Sequence, residues 1–135
     1  MDERADQEQR HPIAATILAV DDDSDVRSFL SESLAVLGYR AVVIEDGASA
    51  LAALDCIKPD AMIVDFAMPG MNGAEVARKA HEQRPYMPII FASGYSETTA
   101  VEAAMGEHAR LLHKPFKVQE LQSMLHELLA VPANG

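Results

Sequence analysis

The chain is poor in cysteine, in basic charge and in long apolar runs, and each shortage removes a class of protein. A single cysteine, Cys56, in 135 residues leaves no internal disulfide to form, so a disulfide-stapled scaffold is excluded. Flanked by Leu54, Ile57 and alanines, Cys56 is expected to be a small buried thiol rather than a nucleophile or a ligand. Only 11 Lys and Arg stand against 21 Asp and Glu, a net charge of −10 that repels phosphate backbones and anionic lipid. Neither nucleic acid nor membrane is therefore an expected partner. The longest apolar stretch, residues 13–20, follows a charged segment and runs straight into three aspartates, which suits neither a signal peptide nor a bilayer span. A cytoplasmic protein is the default expectation. Internal repeats and low-complexity linkers are also lacking. What remains, at 49% hydrophobic and 24% charged, is the composition of one globular domain.

Residues 1–13 are mostly charged or polar and without apolar periodicity, and are expected to be a disordered leader. Residues 14–131 are expected to form the domain and 132–135 a tail. From Ala15 onward, short β-rich runs alternate five times with stretches of helical period, the pattern of βα units around a parallel sheet. Strands are expected at 16–20, 41–44, 61–64, 89–92 and 109–112. Helix 1 places Val26, Phe29, Leu30, Leu34 and Leu37 on one face and stops at Gly38. Helix 2 starts near Asp46 and is blocked by Pro59; Asn72 and Glu75 resemble a capping box for helix 3, which Pro85 ends. Ser96 is a candidate cap for a short helix 4 closed by Gly106, and helix 5 carries Leu121, Met124, Leu125, Leu128 and Leu129. Strands that are nearly continuous apolar runs are buried on both faces, so helices must cover both sides of the sheet. The expected fold is α/β, doubly wound, with five parallel strands and five helices.

In such sheets ligands bind beyond the carboxyl ends of the strands. Here strand 1 ends in Asp21, Asp22 and Asp23, strand 3 in Asp65, strand 4 in Ser93 and Gly94, and strand 5 in Lys114 and Pro115. With the order 2-1-3-4-5, strands 1 and 3 are neighbours and their aspartates converge. Carboxylates that close repel one another and call for a cation. Hard oxygen ligands with room for water favour Mg²⁺. Lys114 supplies a positive charge and Ser93 a hydroxyl, the parts needed to hold phosphoryl oxygens, and Asp65, at the centre of the sheet, is the natural nucleophile.

The segments Ile17-Leu-Ala-Val-Asp-Asp-Asp, Met62-Ile-Val-Asp-Phe-Ala-Met-Pro-Gly-Met-Asn-Gly, Phe91-Ala-Ser-Gly-Tyr and Leu112-His-Lys-Pro-Phe together resemble the receiver domain of two-component response regulators, a flavodoxin-like fold. The resemblance covers about residues 15–130, with all motifs in order. It implies that Asp65 accepts a phosphoryl group from a phosphohistidine on a partner sensor kinase or phosphotransfer protein. By the same resemblance Asp22, Asp65 and the backbone carbonyl of Ala67 bind Mg²⁺, with Asp21 acting through water, Ser93 and Lys114 contact the phosphoryl oxygens, and the Lys114–Pro115 bond is cis. Such a domain is a self-modifying switch in a phosphorelay rather than a turnover enzyme. Two positions depart from the common pattern. Leu111 stands where many members carry an aromatic switch residue, so Tyr95 or helix 4 is expected to report the state instead. Ala67 offers no polar side chain to orient an attacking water, so self-dephosphorylation is expected to be slow.

Other readings fit less of the chain. Asp21, Asp23, Asp25 and Glu32 echo a calcium loop, but Val26 occupies the position that needs glycine, and a strand precedes the run. Asp23 and Ser24 are better read as caps of helix 1, with Asp25 in its first turn. An aspartate-nucleophile phosphohydrolase would leave Asp65 and Lys114-Pro115 unexplained. A phosphorylation-independent binding module of the same fold would not need the acidic set, Ser93 or Lys114. His81 and His126 are expected to be exposed, and His108 and His113 lack zinc-ligand spacing. The few residues after helix 5 lead to the expectation that output passes through protein contact. The face of helix 4, strand 5 and helix 5 would meet a downstream target or a second copy as a homodimer, and helix 1 would face the kinase.

Overall fold

The computed structural model describes residues 14–105 and 109–129, and places in them five strands that pair in parallel in the order β2-β1-β3-β4-β5. These are β1 (Thr16–Val20), β2 (Arg40–Ile44), β3 (Ala61–Asp65), β4 (Ile89–Ser93) and β5 (Ala109–His113). The three central strands are buried at every position, whereas the edge strands β2 and β5 are only partly covered, which matches their less uniform apolar sequences. Helices α1 (Ser24–Val36), α2 (Gly47–Ile57), α3 (Gly73–Gln83), α4 (Thr98–Ala104) and α5 (Val118–Leu129) follow the strands in turn.

Alternate side chains of each strand feed two cores. Leu18, Val20, Met62, Val64, Ile89 and Phe91 pack with Ala50 and Leu54 of α2 and Val76 and Ala80 of α3. Ile17, Ala19, Ile63, Ile90 and Ala92 point the other way, onto Leu30 and Leu34 of α1 and Leu121 and Leu125 of α5. The doubly wound architecture follows directly from this two-sided apolar pattern.

Local signals set the helix ends. The Asp23 carboxylate accepts from the amides of Asp25 and Val26 at 2.8 and 3.3 Å and starts α1. Gly38, at φ 96°, turns the chain from α1 into β2. Asp46 caps α2 through Ser49 N at 2.7 Å, which holds its carboxyl below the ordinary value of 3.8. Asn72 accepts from Glu75 N at 3.0 Å and starts α3.

Several expectations need correction. Cys56 is exposed, because helical spacing sends Ala50, Leu54 and Ile57 inward and leaves Cys56, two residues beyond Leu54, on the opposite face. Helix α2 ends at Ile57 with Lys58 as a left-handed C-cap at φ 50°, immediately before Pro59. Ser96 does not cap α4; a 3₁₀ turn, Tyr95–Glu97, precedes the helix, and the Glu97 carboxylate accepts from Gly94 N at 3.1 Å. His81 is partly buried, its Nε2 3.0 Å from Met87 O. The expectations for residues 1–13, Gly106, His108 and 132–135 fall outside the described residues. Among the described residues no helix is long and apolar enough to cross a membrane.

Candidate functional site

Parallel pairing brings the carboxyl ends of β1, β3, β4 and β5 to one edge, and the polar residues there form a single basin. Asp21 follows β1 directly and its amide continues the ladder to Ile44 O of β2 at 3.1 Å. Asp65 is the last residue of β3, in register with Ala92 of β4. Beyond β5, Lys114 N donates to Ser93 O at 2.8 Å, which carries the lysine across the top of β4. Its ammonium then donates to Asp21 Oδ2 at 3.1 Å and to Asp65 Oδ1 at 3.2 Å. Residues 49 and 93 positions from Lys114 in sequence thus share one charge.

Asp21 and Asp65 are almost fully buried, at 1% and 6% exposure, while Asp22 is exposed. One oxygen from each of the three carboxyl groups lies within 4.8 Å of the others. Burial, and then the charge of Asp21, push the Asp65 carboxyl up from 3.8 to about 6, with a side-chain hydrogen bond to Asp22 adding to the rise and Lys114 opposing it. Burial works against the Lys114 ammonium, but the charges of Asp65 and Asp21 outweigh it and hold the lysine above its ordinary 10.5. Three carboxyl groups therefore face one ammonium. A hard divalent cation such as Mg²⁺ suits that donor set, which is all oxygen and undercompensated by Lys114 alone.

Ser93, 1% exposed, donates through its hydroxyl to Gly94 O at 3.1 Å. Ala67 is exposed on the loop after β3. The Lys114–Pro115 bond is cis, and Pro115 is exposed. Leu111 is partly buried against the core that contains Phe91 and Val101. Tyr95 opens the 3₁₀ turn, and its side chain is outside the described set.

Two residues that shape the site were not legible in the sequence. Gly73, the first residue of α3, donates to Phe66 O at 2.8 Å, and a methyl group on it would lie 2.7 Å from Phe66 Cα and 2.8 Å from Asp65 O. Arg27 of α1 donates through Nη1 to Asp21 O at 2.9 Å. An arginine in the first turn of a helix that follows an acidic run was the one available hint for the second; for Gly73 only the helix cap beside it was visible.

Residues 17–126 match the family described as response regulator receiver domain. The response regulator receiver protein CpdR of Brucella abortus is 32% identical over 114 residues, covering 84% of this chain and 95% of that protein. The DNA-binding transcriptional regulator NtrC of Escherichia coli is 31% identical over 115 residues, again 84% of this chain, but the chain spans only 24% of NtrC. Among solved structures, the chemotaxis protein CheY4 of Vibrio cholerae superposes with a TM-score of 0.77 at 29% identity, over 87% of this chain and 100% of that one. The receiver domain of the sensor histidine kinase PA1611 of Pseudomonas aeruginosa, with a magnesium ion coordinated in its active site cleft, gives 0.79 at 26% identity, over 88% and 100%. With its fold and strand-end residues described, the chain belongs to the response regulator receiver domains of two-component signalling.

Proposed function

We propose that Asp65 is the phosphoacceptor of a Mg²⁺-dependent phosphorelay switch, receiving its phosphoryl group from a phosphohistidine of a sensor kinase or histidine phosphotransfer protein. The observation that carries this reading is the Lys114 ammonium seated between Asp21 Oδ2 and Asp65 Oδ1 at 3.1 and 3.2 Å, inside a trio of carboxyl groups. Asp21, Asp22, Asp65 and the Ala67 carbonyl would hold the ion, which supplies charge neutralisation for the incoming phosphoryl oxygens. The Asp65 oxygen attacks phosphorus as the P–N bond to imidazole breaks, and the imidazole nitrogen keeps the electron pair and takes up a proton. Lys114 then transfers its hydrogen bond from the Asp65 carboxylate to a phosphoryl oxygen, and Ser93 turns its hydroxyl from Gly94 O towards another. Loss of the Lys114 and Ser93 contacts of the resting state biases the β4–α4 segment and the face of α4, β5 and α5, where a downstream protein or a second copy would bind. Leu111 fills its place in the core without a ring to swing, which leaves Tyr95 and α4 to carry the change.

A partner surface adjoins the basin. Asp25, Val26, Phe29, Lys114, Pro115 and Phe116 line a groove of about 520 Å³ beside the ammonium, with Phe29 and Phe116 in edge-to-face contact at 5.7 Å. Such a groove suits the kinase or phosphotransfer helix that must bring its histidine to Asp65. The DNA binding of NtrC belongs to a protein of which this chain matches 24%, and a charge of −10 does not favour phosphate backbones. The signalling unit is taken as residues 14–131, and the cytoplasm, where kinases of this kind keep their catalytic parts, as its compartment.

The test is incubation with Mg²⁺ and a small-molecule phosphodonor. One acid-stable, base-labile phosphoryl group per chain is expected, and EDTA should prevent it. A chain that stays unlabelled is a binding module, and continuous phosphate release marks a hydrolase; either result overturns the reading. A second expectation concerns lifetime. With alanine at position 67 no side chain orients water on the phosphorus, so the label should outlast minutes, and Ala67→Gln should shorten its lifetime several-fold. A wild-type label that decays in seconds would contradict this.

A further inference from the structure

Every polar atom of Asp21 is engaged by a different part of the fold. Its amide donates to Ile44 O of β2 at 3.1 Å, Oδ1 accepts from Asp23 N at 2.9 Å, and Oδ2 accepts from Lys114 at 3.1 Å. The carbonyl oxygen accepts from Arg27 Nη1 at 2.9 Å. Of these four, the arginine contact is the one that reaches the peptide plane shared by Asp21 and Asp22. That plane is rigid, so a fixed Asp21 carbonyl also fixes the direction in which Asp22 leaves the strand. Arg27 is well placed for this. Its amide makes the first bond of α1, to Asp23 O at 3.0 Å, so the side chain springs from an anchored turn and is 22% exposed. The other guanidinium nitrogen lies 3.9 Å from Glu45, whose side chain is 73% exposed, a contact too long and too wet to matter much.

We infer that Arg27 is a positioning residue for the acidic site: its guanidinium holds the Asp21 carbonyl and thereby keeps Asp21 and Asp22 converged on Asp65 against their mutual repulsion. The inference rests on the proposed Mg²⁺ site and deepens it. Hydrogen-bonding partners one step behind a metal ligand commonly change affinity by about 10- to 100-fold. Simple electrostatics predicts the opposite sign, since deleting a cation near a cation site should tighten Mg²⁺ binding. The two accounts therefore separate cleanly.

The experiment measures Mg²⁺ affinity without any phosphodonor, from the rise of the melting temperature with Mg²⁺ concentration. Wild type is compared with Arg27→Met, Arg27→Lys and Glu45→Gln, with circular dichroism to check folding. Arg27→Met is expected to weaken Mg²⁺ by about tenfold. Arg27→Lys keeps the charge but loses the planar fork, and should weaken it by less, while Glu45→Gln should leave it unchanged. Labelling of Arg27→Met should recover at saturating Mg²⁺. Equal or tighter binding by Arg27→Met overturns the inference; if that variant fails to fold, wild-type affinity in Arg27→Lys overturns it. A wild type with no Mg²⁺ response overturns both the site and the inference, whereas a responsive wild type with a sign reversed in Arg27→Met overturns the inference alone.

Discussion

Asp65→Asn is expected to abolish phosphoryl labelling entirely and, without Mg²⁺, to make the protein more stable. The first result follows from loss of the nucleophile. The second follows from the raised carboxyl of Asp65, at about 6 in the folded chain against an ordinary 3.8. Between those values the native state binds a proton that the unfolded chain has released. Stability is therefore lost as pH rises from about 4 through about 6, and the penalty is complete above that. Two units correspond to at most about 3 kcal/mol, and water at the mouth of the basin screens this to about 1–2 kcal/mol. An asparagine carries no such charge. Denaturant melts of both proteins at pH 7 should differ by that amount, converge near pH 4, and differ less once Mg²⁺ offsets the charge in wild type. Label retained in Asp65→Asn would move the phosphoacceptor elsewhere, and a variant less stable than wild type at pH 7 would mean that Lys114 needs the Asp65 charge more than burial resists it.

Gly73→Ala should be the most damaging change at a residue that contacts no ligand. The new methyl group would meet Phe66 Cα at 2.7 Å and Asp65 O at 2.8 Å, both backbone atoms that cannot swing aside. Overpacking a well-filled core costs about 1–3 kcal/mol when side chains can adjust; here α3 or the end of β3 must shift, so the upper end of that range or more is expected. The same shift would move the Asp65 carboxylate, so Mg²⁺ affinity should fall with stability. Urea midpoints read the first effect and Mg²⁺ titrations the second. A midpoint and affinity both unchanged would mean that α3 slides freely over β3.

How much of this was visible in the sequence depends on the length scale of the physics. The sheet was legible because each central strand is an apolar run, buried on both faces, that ends abruptly in Asp or Ser; that punctuation also marked the site. Strand 4 extends one residue beyond its expected end, to Ser93, and strand 5 to His113, because ladder bonds from neighbouring strands extend them. Cys56 was misjudged because Leu54, Ile57 and the nearby alanines suggested an apolar setting, whereas it shares the solvent face of α2 with its neighbour Asp55. The start of α4 was missed because a 3₁₀ turn, Tyr95–Glu97, leads into it and no side chain caps the helix; the Glu97 carboxylate accepts instead from Gly94 N, three residues earlier. Arg27 and Gly73 act through contacts to main-chain atoms of other segments, which leave no periodicity or motif to read.

The outward-facing thiol has a practical use. A helix in this layout runs against its strands, so position 56, near the end of α2, lies at the rim opposite the carboxylates. Since the polymer holds no other sulfhydryl, a maleimide dye or nitroxide attaches there at one spot without any engineering, and its emission or spectrum follows tumbling and self-association while the acceptor aspartate is being loaded. The same group can couple two molecules under air, so any apparent pairing must survive a reducing agent before it counts as signalling.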